Sequence, residues 1–189
     1  MFFVYYLARV FKNAEEKQLL ARVNARDADA FAEVYDRYAA RLFRHASIRL
    51  GRKEVAEDLT SRTFLKTWEY LLDGKTVNHI ASFLYRVLHN LIVDEYRVRP
   101  REVLMEELPE PEDRRDANAR VDATLELERV QRALRKLPDG TQALLTARYF
   151  DELSVGEICS MTGKSRNAAY VALHRGLRAL QRACGERRR

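Results

Sequence analysis

Six side chains near the C-terminus have the types and spacing needed to read the edges of DNA bases. An arginine fork can bond two acceptors on guanine or phosphate, and a valine can meet a thymine methyl group. At helical spacing these six residues point to the same outward side of one segment: Arg166, Asn167, Tyr170, Val171, His174 and Arg175. The predicted chemistry is recognition through hydrogen bonds and apolar contact. His174 is more consistent with a phosphate or base contact than with a metal ligand, because no second ligand sits at helical spacing.

The segment that holds these side chains reads as a helix, a tight turn and a second helix over 153–180. Ser154 and Glu157 form a capping-box pattern at the first helix. Gly163 can adopt the positive φ of a sharp reversal, and Ser165 can cap the second helix. The inward side of the second helix carries Ala169, Leu173, Gly176, Leu177 and Leu180. This is the layout of a helix-turn-helix, although a helical hairpin within a bundle core would look similar.

Two earlier predicted helices also carry organised polar sides. In the helix over 55–72, Asp58, Arg62 and Lys66 fall at four-residue steps beside Trp68, as in a charged rim around an aromatic anchor. We expect Asp58 and Trp68 to be contacts, and the neighbouring Phe64 and Leu65 to be core. In the helix over 81–98, one face carries Arg86, Asn90, Asp94 and Arg97, and we expect Asp94 to pair with Arg97.

Composition sets limits on the class of protein. The chain of 189 residues is 47% hydrophobic, and its four prolines and seven glycines are few, which argues against an all-β fold. No β pattern appears along the sequence, so we predict an all-α fold. Its formal charge of +6 leans toward a polyanionic partner. We find no nucleophile–base pair, metal cluster or phosphate-binding glycine loop. We therefore predict no enzyme activity, cofactor, metal or small-molecule substrate.

The cysteines and the N-terminus bear on the cell compartment. Cys159 and Cys184 fit small core residues in a reducing cytoplasm, with a redox switch as the alternative. The apolar segment 1–14 is too short to span a bilayer and lacks a positive leader. It could be a docking helix, an interfacial anchor or the product of a start codon placed too early.

The chain divides into two helical blocks and an acidic joint. The first block covers residues 15–99, and its helices are interrupted at Gly51 and at the polar loop 73–79. The joint covers 100–118 and is expected to be an extended, flexible linker. The second block covers 119–189, where Asp139 is expected to cap a helix with Gln142 three residues on. The six acids between Glu102 and Asp113 could fold over a basic face and compete with DNA, or serve as a solvated spacer.

The two blocks together resemble bacterial sigma factors of the extracytoplasmic-function group, in the sigma-70 family. The first block resembles sigma region two through FAEVYDRYAARLFR, AEDLTSRTFLKTWEYL and ASFLYRVLHNLIVDEYRVRPR. The second resembles region four through LRKLPDGTQALLTARYFDELSVGEI and the helix that follows. The resemblance covers residues 15–183 and implies two helical domains, a region-two bundle and a region-four helix-turn-helix.

The resemblance also implies a function. A chain of this group binds core RNA polymerase, through the β′ coiled coil and the β subunit, and directs transcription initiation at particular promoters. The contacts with core polymerase would come from Asp58, Arg62, Lys66 and Trp68. The minus-thirty-five element would be read by the six outward residues of the last helix. The minus-ten element would be recognised and opened by Lys75, Asn78, His79, Phe83, Arg86, Asn90 and Arg97.

Some positions depart from the family pattern. The family usually has Trp where Phe83 stands, and Phe offers less ring area and no N–H. It commonly has Gly, Thr and Val where Asn167, Ala168 and Ala169 stand, and a basic residue at Tyr170, so the promoter sequence is not predicted.

The group also implies an anti-sigma partner, often membrane-bound, for a chain that is otherwise cytoplasmic and lies with the nucleoid when in holoenzyme. Alternatives are a helix-turn-helix regulator that is not a polymerase subunit and an adaptor or inhibitor that binds polymerase without starting transcription.

Overall fold

The computed structural model describes residues 15–98 and 118–185, which form eight helices and no strand. The first four are α1 (15–24), α2 (Ala28–Leu50), α3 (Lys53–Leu72) and α4 (Ile80–Val98). The last four are α5 (Asn118–Arg135), α6 (Asp139–Tyr149), α7 (Val155–Thr162) and α8 (Arg166–Gly185). The predicted all-α fold of two helical domains is confirmed. The N-terminal extension and all of the predicted linker except Asn118 lie outside the described residues.

We call α1–α4 the N-terminal bundle. Its core is built by apolar residues at helical spacing, including Leu19, Val34, Leu42, Leu59, Leu84 and Leu88. Three threonines of α3 also point inward, and each hydroxyl donates to the carbonyl four residues earlier. Because these hydroxyls are satisfied within the helix, α3 can pack closely on α2 and α4.

Two side chains from the start of the bundle hold the loop between α3 and α4. The Asn24 amide both accepts from the Val77 N–H and donates to the Val77 carbonyl, each at 2.9 Å. Arg26 donates to the Leu71 carbonyl at 3.0 Å. The loop is therefore tied at both ends to the turn between α1 and α2.

We call α5–α8 the C-terminal bundle. Ser154 and Glu157 form the predicted capping box, and Gly163 ends α7 with a φ of 70°, in the left-handed region. Gly176 of α8 lies so close to α6 that an added Cβ would stand 2.8 Å from the Thr141 methyl. This close approach fixes the position of α8, the second helix of the helix-turn-helix, against α6.

Two expectations about individual residues are wrong. Leu65 is 57% exposed, because it falls on the solvent side of α3 while Phe64 faces the core. Asp139 does not cap α6, since the N-cap is Pro138 without a side-chain bond. Its carboxylate pairs instead with Arg49 of the N-terminal bundle.

The two bundles pack directly against each other. Helix α2 contacts α5 and α6, and α4 contacts α7. The contact includes buried polar residues from both sides, among them His45, Arg49 and Asp151. Two separate hydrophobic patterns along the chain thus give two bundles that share one continuous core cluster.

Candidate DNA and polymerase interfaces

The outward side of α8 is a continuous exposed surface. All six residues predicted to read the minus-thirty-five element are exposed, and Tyr170 and Val171 are 55% and 50% exposed. The opposite side holds Ala169, Leu173 and Gly176, which are buried as predicted. The exposed side of α8 thus combines hydrogen-bonding, cationic and apolar side chains, as reading base edges in a major groove requires.

The start of α8 is positioned by its cap and turn. The Ser165 hydroxyl accepts from the Ala168 N–H at 3.3 Å. The two hydrogen bonds of the Ser154 capping box at α7 are shorter, at 2.8 and 3.2 Å. Arg166 and Asn167 lie in the first turn and are exposed. The helix N-terminus therefore presents its free N–H groups and two polar side chains on the same side of the molecule.

Basic residues continue along α8 beyond the six predicted contacts. Arg175, Arg178 and Arg182, together with Gln181, line an open surface depression. Sequence reasoning did not single out Arg178 or Arg182, although their spacing from Arg175 could have indicated them. Such a row is suited to phosphates beside the bases that Arg175 would contact.

The exposed side of α4 carries the predicted polar row. Arg86, Asn90, Asp94 and Arg97 are all exposed. The Asp94 carboxylate accepts from Arg97 at 3.1 Å, as expected. This pair holds the basic group along the helix surface, and it leaves Arg86 and Asn90 open to a partner.

Phe83 belongs to a row in which two adjacent rings lie between two cations. Its ring centroid lies 4.7 Å from that of Tyr70, and the Arg86 guanidinium lies 5.4 Å from the Phe83 centroid. The Lys75 ammonium lies 5.1 Å from the Tyr70 ring, and it also pairs with Asp73 at 3.1 Å. The sequence pattern of α4 and its preceding loop could not indicate Tyr70, because Tyr70 lies near the end of α3. The row supplies ring faces and positive charge together, as proteins that bind single strands do.

The loop before α4 brings its predicted residues to the same region. Lys75, Asn78 and His79 are exposed, while Val77 between them is buried and bonded to Asn24. The buried Val77 fixes the backbone, so the polar side chains on either side of it face solvent. They lie at the end of the bundle that also holds Tyr70 and Phe83.

The predicted polymerase face of α3 has a charged and an apolar part. Asp58, Arg62 and Lys66 are exposed, and Asp58 accepts from Arg62 at 3.3 Å. Trp68 is half-buried against Phe31, with ring centroids 4.8 Å apart. An open groove of about 280 Å³ beside them is lined by Ala28, Phe31, Phe64, Leu65 and Trp68. The exposed Leu65 therefore lies on this face and not in the core, where the sequence pattern had placed it.

The described residues 15–98 and 118–185 include no helix that is long and apolar enough to cross a membrane. Within the same residues, no group of three or more His, Cys, Asp or Glu side chains could hold a metal ion. Cys159 and Cys184 are free and half-buried.

Two family models match the chain in order. Sigma-70 region 2 matches residues 34–102, and sigma-70 region 4 matches residues 127–180. A helix-turn-helix regulator without a polymerase-binding domain would be expected to match region 4 but not region 2. The paired matches fall on the N-terminal and C-terminal bundles.

Curated relatives carry the same family name. The chain is 30% identical over 177 residues to the ECF RNA polymerase sigma factor BldN of Streptomyces coelicolor, covering 90% of this chain and 66% of that protein. It is 28% identical over 178 residues to the ECF RNA polymerase sigma factor SigW of Bacillus subtilis, covering 88% of this chain and 95% of that protein. The chain belongs to the sigma-70 family, in the group of extracytoplasmic-function sigma factors.

Solved structures share the fold. CnrH in complex with the cytosolic domain of CnrY has a TM-score of 0.70 at 22% identity, over 91% of this chain and 98% of that chain. The sigma factor RpoE of Bartonella quintana, in complex with the anti-sigma factor NepR, has a TM-score of 0.63 at 19% identity, over 84% of this chain and 98% of that chain. At 22% and 19% sequence identity, these two comparisons show a shared fold and carry no conclusion about function.

Proposed function

We propose that this sigma factor binds core RNA polymerase through the exposed side of α3 and directs it to promoters through α4 and α8. The observation that carries the proposal is the separation of three exposed faces on the two matched domains. The α3 face is a charged rim beside an apolar groove, and the α4 and α8 faces are polar and basic. The chain supplies specificity and itself catalyses no reaction.

The polymerase contact is assigned to Asp58, Arg62, Lys66 and Trp68, with Leu65 added from its exposure. Asp58→Arg reverses one charge of the rim, and it should weaken core binding by more than about 1 kcal/mol when the pair becomes buried in the complex. Asp36→Arg is a matched reversal of an exposed acid on α2 and should bind normally. Titration of core polymerase against labelled protein measures the affinity of each variant. Equal affinities for Asp58→Arg and Asp36→Arg would contradict the assignment.

The DNA contacts are assigned to two faces with different tasks. The α8 face reads duplex edges in the major groove, which admits a helix. The α4 face with its loop holds separated bases, because ring faces and hydrogen-bonding groups replace the stacking that a base loses on leaving the duplex. In vitro transcription with core polymerase, run with and without this chain, tests the proposed function directly.

A regulatory protein partner is also proposed. The two solved neighbours are bound to CnrY and to the anti-sigma factor NepR, which supports an anti-sigma factor for this chain. We further propose that the chain works in the cytoplasm with the nucleoid, and that such a partner could hold it at the membrane. Affinity capture followed by loss of transcription when the captured protein is added back would test this partner.

A further inference from the structure

The open groove beside Trp68, which we call the α3 groove, is part of a larger aromatic surface. The Phe31 ring lies 6.3 Å from the Phe64 ring and 4.8 Å from the Trp68 ring. The Tyr35 ring extends the row and lies 4.7 Å from that of Phe64. Tyr35 and Leu65 at its edges are 47% and 57% exposed. A contiguous apolar surface with a polar rim is the form that a docking site takes.

The N-terminal segment 1–14, which lies outside the described residues, matches this groove in its chemistry. Residues 2–8 are apolar without interruption, and four of these seven are aromatic. Two cations follow at Arg9 and Lys12, and the segment contains no acid. Its sequence therefore suits an aromatic groove that has acids beside it.

The course of α1 brings this segment to the middle of α2. Arg22 of α1 lies 3.4 Å from Glu33 of α2, so the two helices run side by side after the turn that joins them. Burial raises the pKa of Tyr38, and the carboxylate of Glu16 raises it further, which places Glu16 near Tyr38. Helix α1 therefore runs back along α2, and residue 15 lies beside the middle of α2.

The α3 groove is within reach of a segment that starts there. Phe31 lines the groove, and Glu33, two residues later, is on the opposite side of α2, next to α1. The path covers about 12 Å along α2 and about one helix diameter, or roughly 10 Å, across it. Residues 1–14 span about 21 Å as a helix and up to about 50 Å when extended.

The side of α2 that the segment would cross carries negative charge. Asp29 and Asp36 are seven residues apart, so they lie in one line along the helix, and both are exposed. The small Ala32 lies between them and is exposed as well. Because Arg9 and Lys12 stand between the apolar residues and α1, both cations would pass over these acids.

We propose that residues 2–8 dock in the α3 groove of the same chain in the free protein, with Arg9 and Lys12 over the acids of α2. A tethered segment has an effective concentration on the order of millimolar, so a modest affinity is enough to cover the groove. Because Leu65 and Trp68 belong to the proposed polymerase face, the segment and core polymerase compete for it. This consequence rests on the proposed function, whereas docking itself is a property of the free chain.

Fluorescence of the full chain tests the docking, because Trp68 is its single tryptophan. Phe2→Ser combined with Phe3→Ser should shift the Trp68 emission to longer wavelength and raise its quenching by acrylamide. Val98→Ser removes an exposed apolar side chain at the end of α4 and should change neither quantity. Circular dichroism checks that each variant keeps its helix content. Unchanged emission and quenching in the folded double variant would overturn the proposal.

A change on the groove side tests whether the segment and the groove act together. Leu65 is exposed, so Leu65→Ser should leave the bundle folded. It should raise the quenching of Trp68 strongly in the wild-type background and much less when Phe2 and Phe3 are already replaced, because the segment has then left the groove. Equal increases in the two backgrounds would show independent effects and would overturn docking.

Photocrosslinking locates the segment. A benzoylphenylalanine in place of Phe3 should label residues 28–35 or 64–68 of the same chain. Labelling of another helix, or of a second copy of the chain, would overturn the proposal. The same result would follow if mass spectrometry of the natively expressed protein placed its first residue beyond residue 8.

Core binding separates the docking from the proposed function. If the segment covers the groove in about nine-tenths of the molecules, Phe2→Ser with Phe3→Ser should bind core polymerase about tenfold more tightly than the wild type. Docking seen by fluorescence and crosslinking, with unchanged core affinity, would support the docked segment and move the polymerase contact elsewhere. Absence of docking in both measurements would overturn the proposal whatever the affinity for core polymerase.

Discussion

At the scale of single residues, the α8 face gives the most direct prediction. Arg175→Ala and Tyr170→Ala should each reduce transcription from the cognate promoter, because a lost base contact costs on the order of 1–3 kcal/mol. Both side chains are exposed, so neither change should disturb folding or core binding. Promoter-directed transcription and core titration measure the two effects, and normal transcription by both variants would move the recognition face elsewhere.

The pair of rings at Tyr70 and Phe83 leads to a second prediction at this scale. Tyr70→Ala removes the ring that lies 4.7 Å from Phe83 and also the partner of Lys75. Loss of one base-stacking surface is worth about 1–3 kcal/mol, so opening of promoter DNA should fall roughly 5- to 150-fold. Permanganate reactivity of unpaired thymines measures the opening.

A premelted template separates opening from the rest of initiation. Tyr70→Ala should transcribe such a template nearly normally, because the strands are already apart. Tyr70→Phe keeps the ring and should behave like the wild type. A defect that persists on premelted DNA would assign Tyr70 to folding or to core binding instead.

At the scale of helices, the contact between α6 and α8 can be tested through Gly176. Alanine would favour the helix by about 1 kcal/mol, but its Cβ would stand 2.8 Å from the stiff Thr141 side chain. Overpacking of this kind costs about 1–3 kcal/mol, so Gly176→Ala should lower stability to denaturant. In a Thr141→Ser background the methyl is gone, and the same change should be neutral or stabilising.

The capping of α7 and α8 gives a matched comparison. Ser154→Ala breaks a full capping box and should cost about 1 kcal/mol of unfolding free energy. Ser165→Ala removes a longer single bond at 3.3 Å and should cost less. Thermal unfolding of the two variants measures the difference, and the opposite order would show that other contacts hold the start of α8.

At the scale of the whole molecule, the stability of the packed bundles should depend on pH. Burial lowers the pKa of His45 although Asp151 opposes the shift, and burial together with Arg49 lowers the pKa of His89 to about 4. The groups that face this pair are Asp151, Asp139, Tyr85 and Arg49. These lowered pKa values favour the neutral form of both histidines in the folded chain, and near and below pH 6.5 the histidines would take up protons on unfolding.

The direction of the pH dependence follows from the lowered pKa values of the two histidines. A histidine whose pKa is depressed in the folded chain stabilises the fold above its ordinary pKa of 6.5, and the stabilisation is lost as pH falls from 6.5 toward 4. Each histidine contributes at most about 1.4 kcal/mol per pH unit. Denaturant unfolding at pH values between about 7.5 and 5 should show a lower free energy of unfolding on the acid side, and His89→Gln should weaken this dependence. The same dependence of the unfolding free energy on pH in the wild type and in His89→Gln would contradict this assignment.

Local patterns along the chain are enough to predict the helices, the capping box, the turn at Gly163 and the exposed face of α8. Each depends on residues within a few positions of one another, where helical spacing and capping chemistry decide the outcome. The same spacing places Arg86, Asn90 and Arg97 on one side of α4. The motifs of two sigma regions add the family and with it the function.

Packing between distant segments decides the rest. Asp139 has the sequence position of a helix cap, yet it lies against Arg49, 90 positions earlier in the chain. Tyr70 meets Phe83 only because α3 and α4 pack together and are joined by a loop tied to Asn24. Leu65 and Phe64 are adjacent in sequence, but the helix turns one toward the core and the other toward solvent. Burial of charge at the bundle interface depends on both partners arriving together, so no local pattern could indicate it.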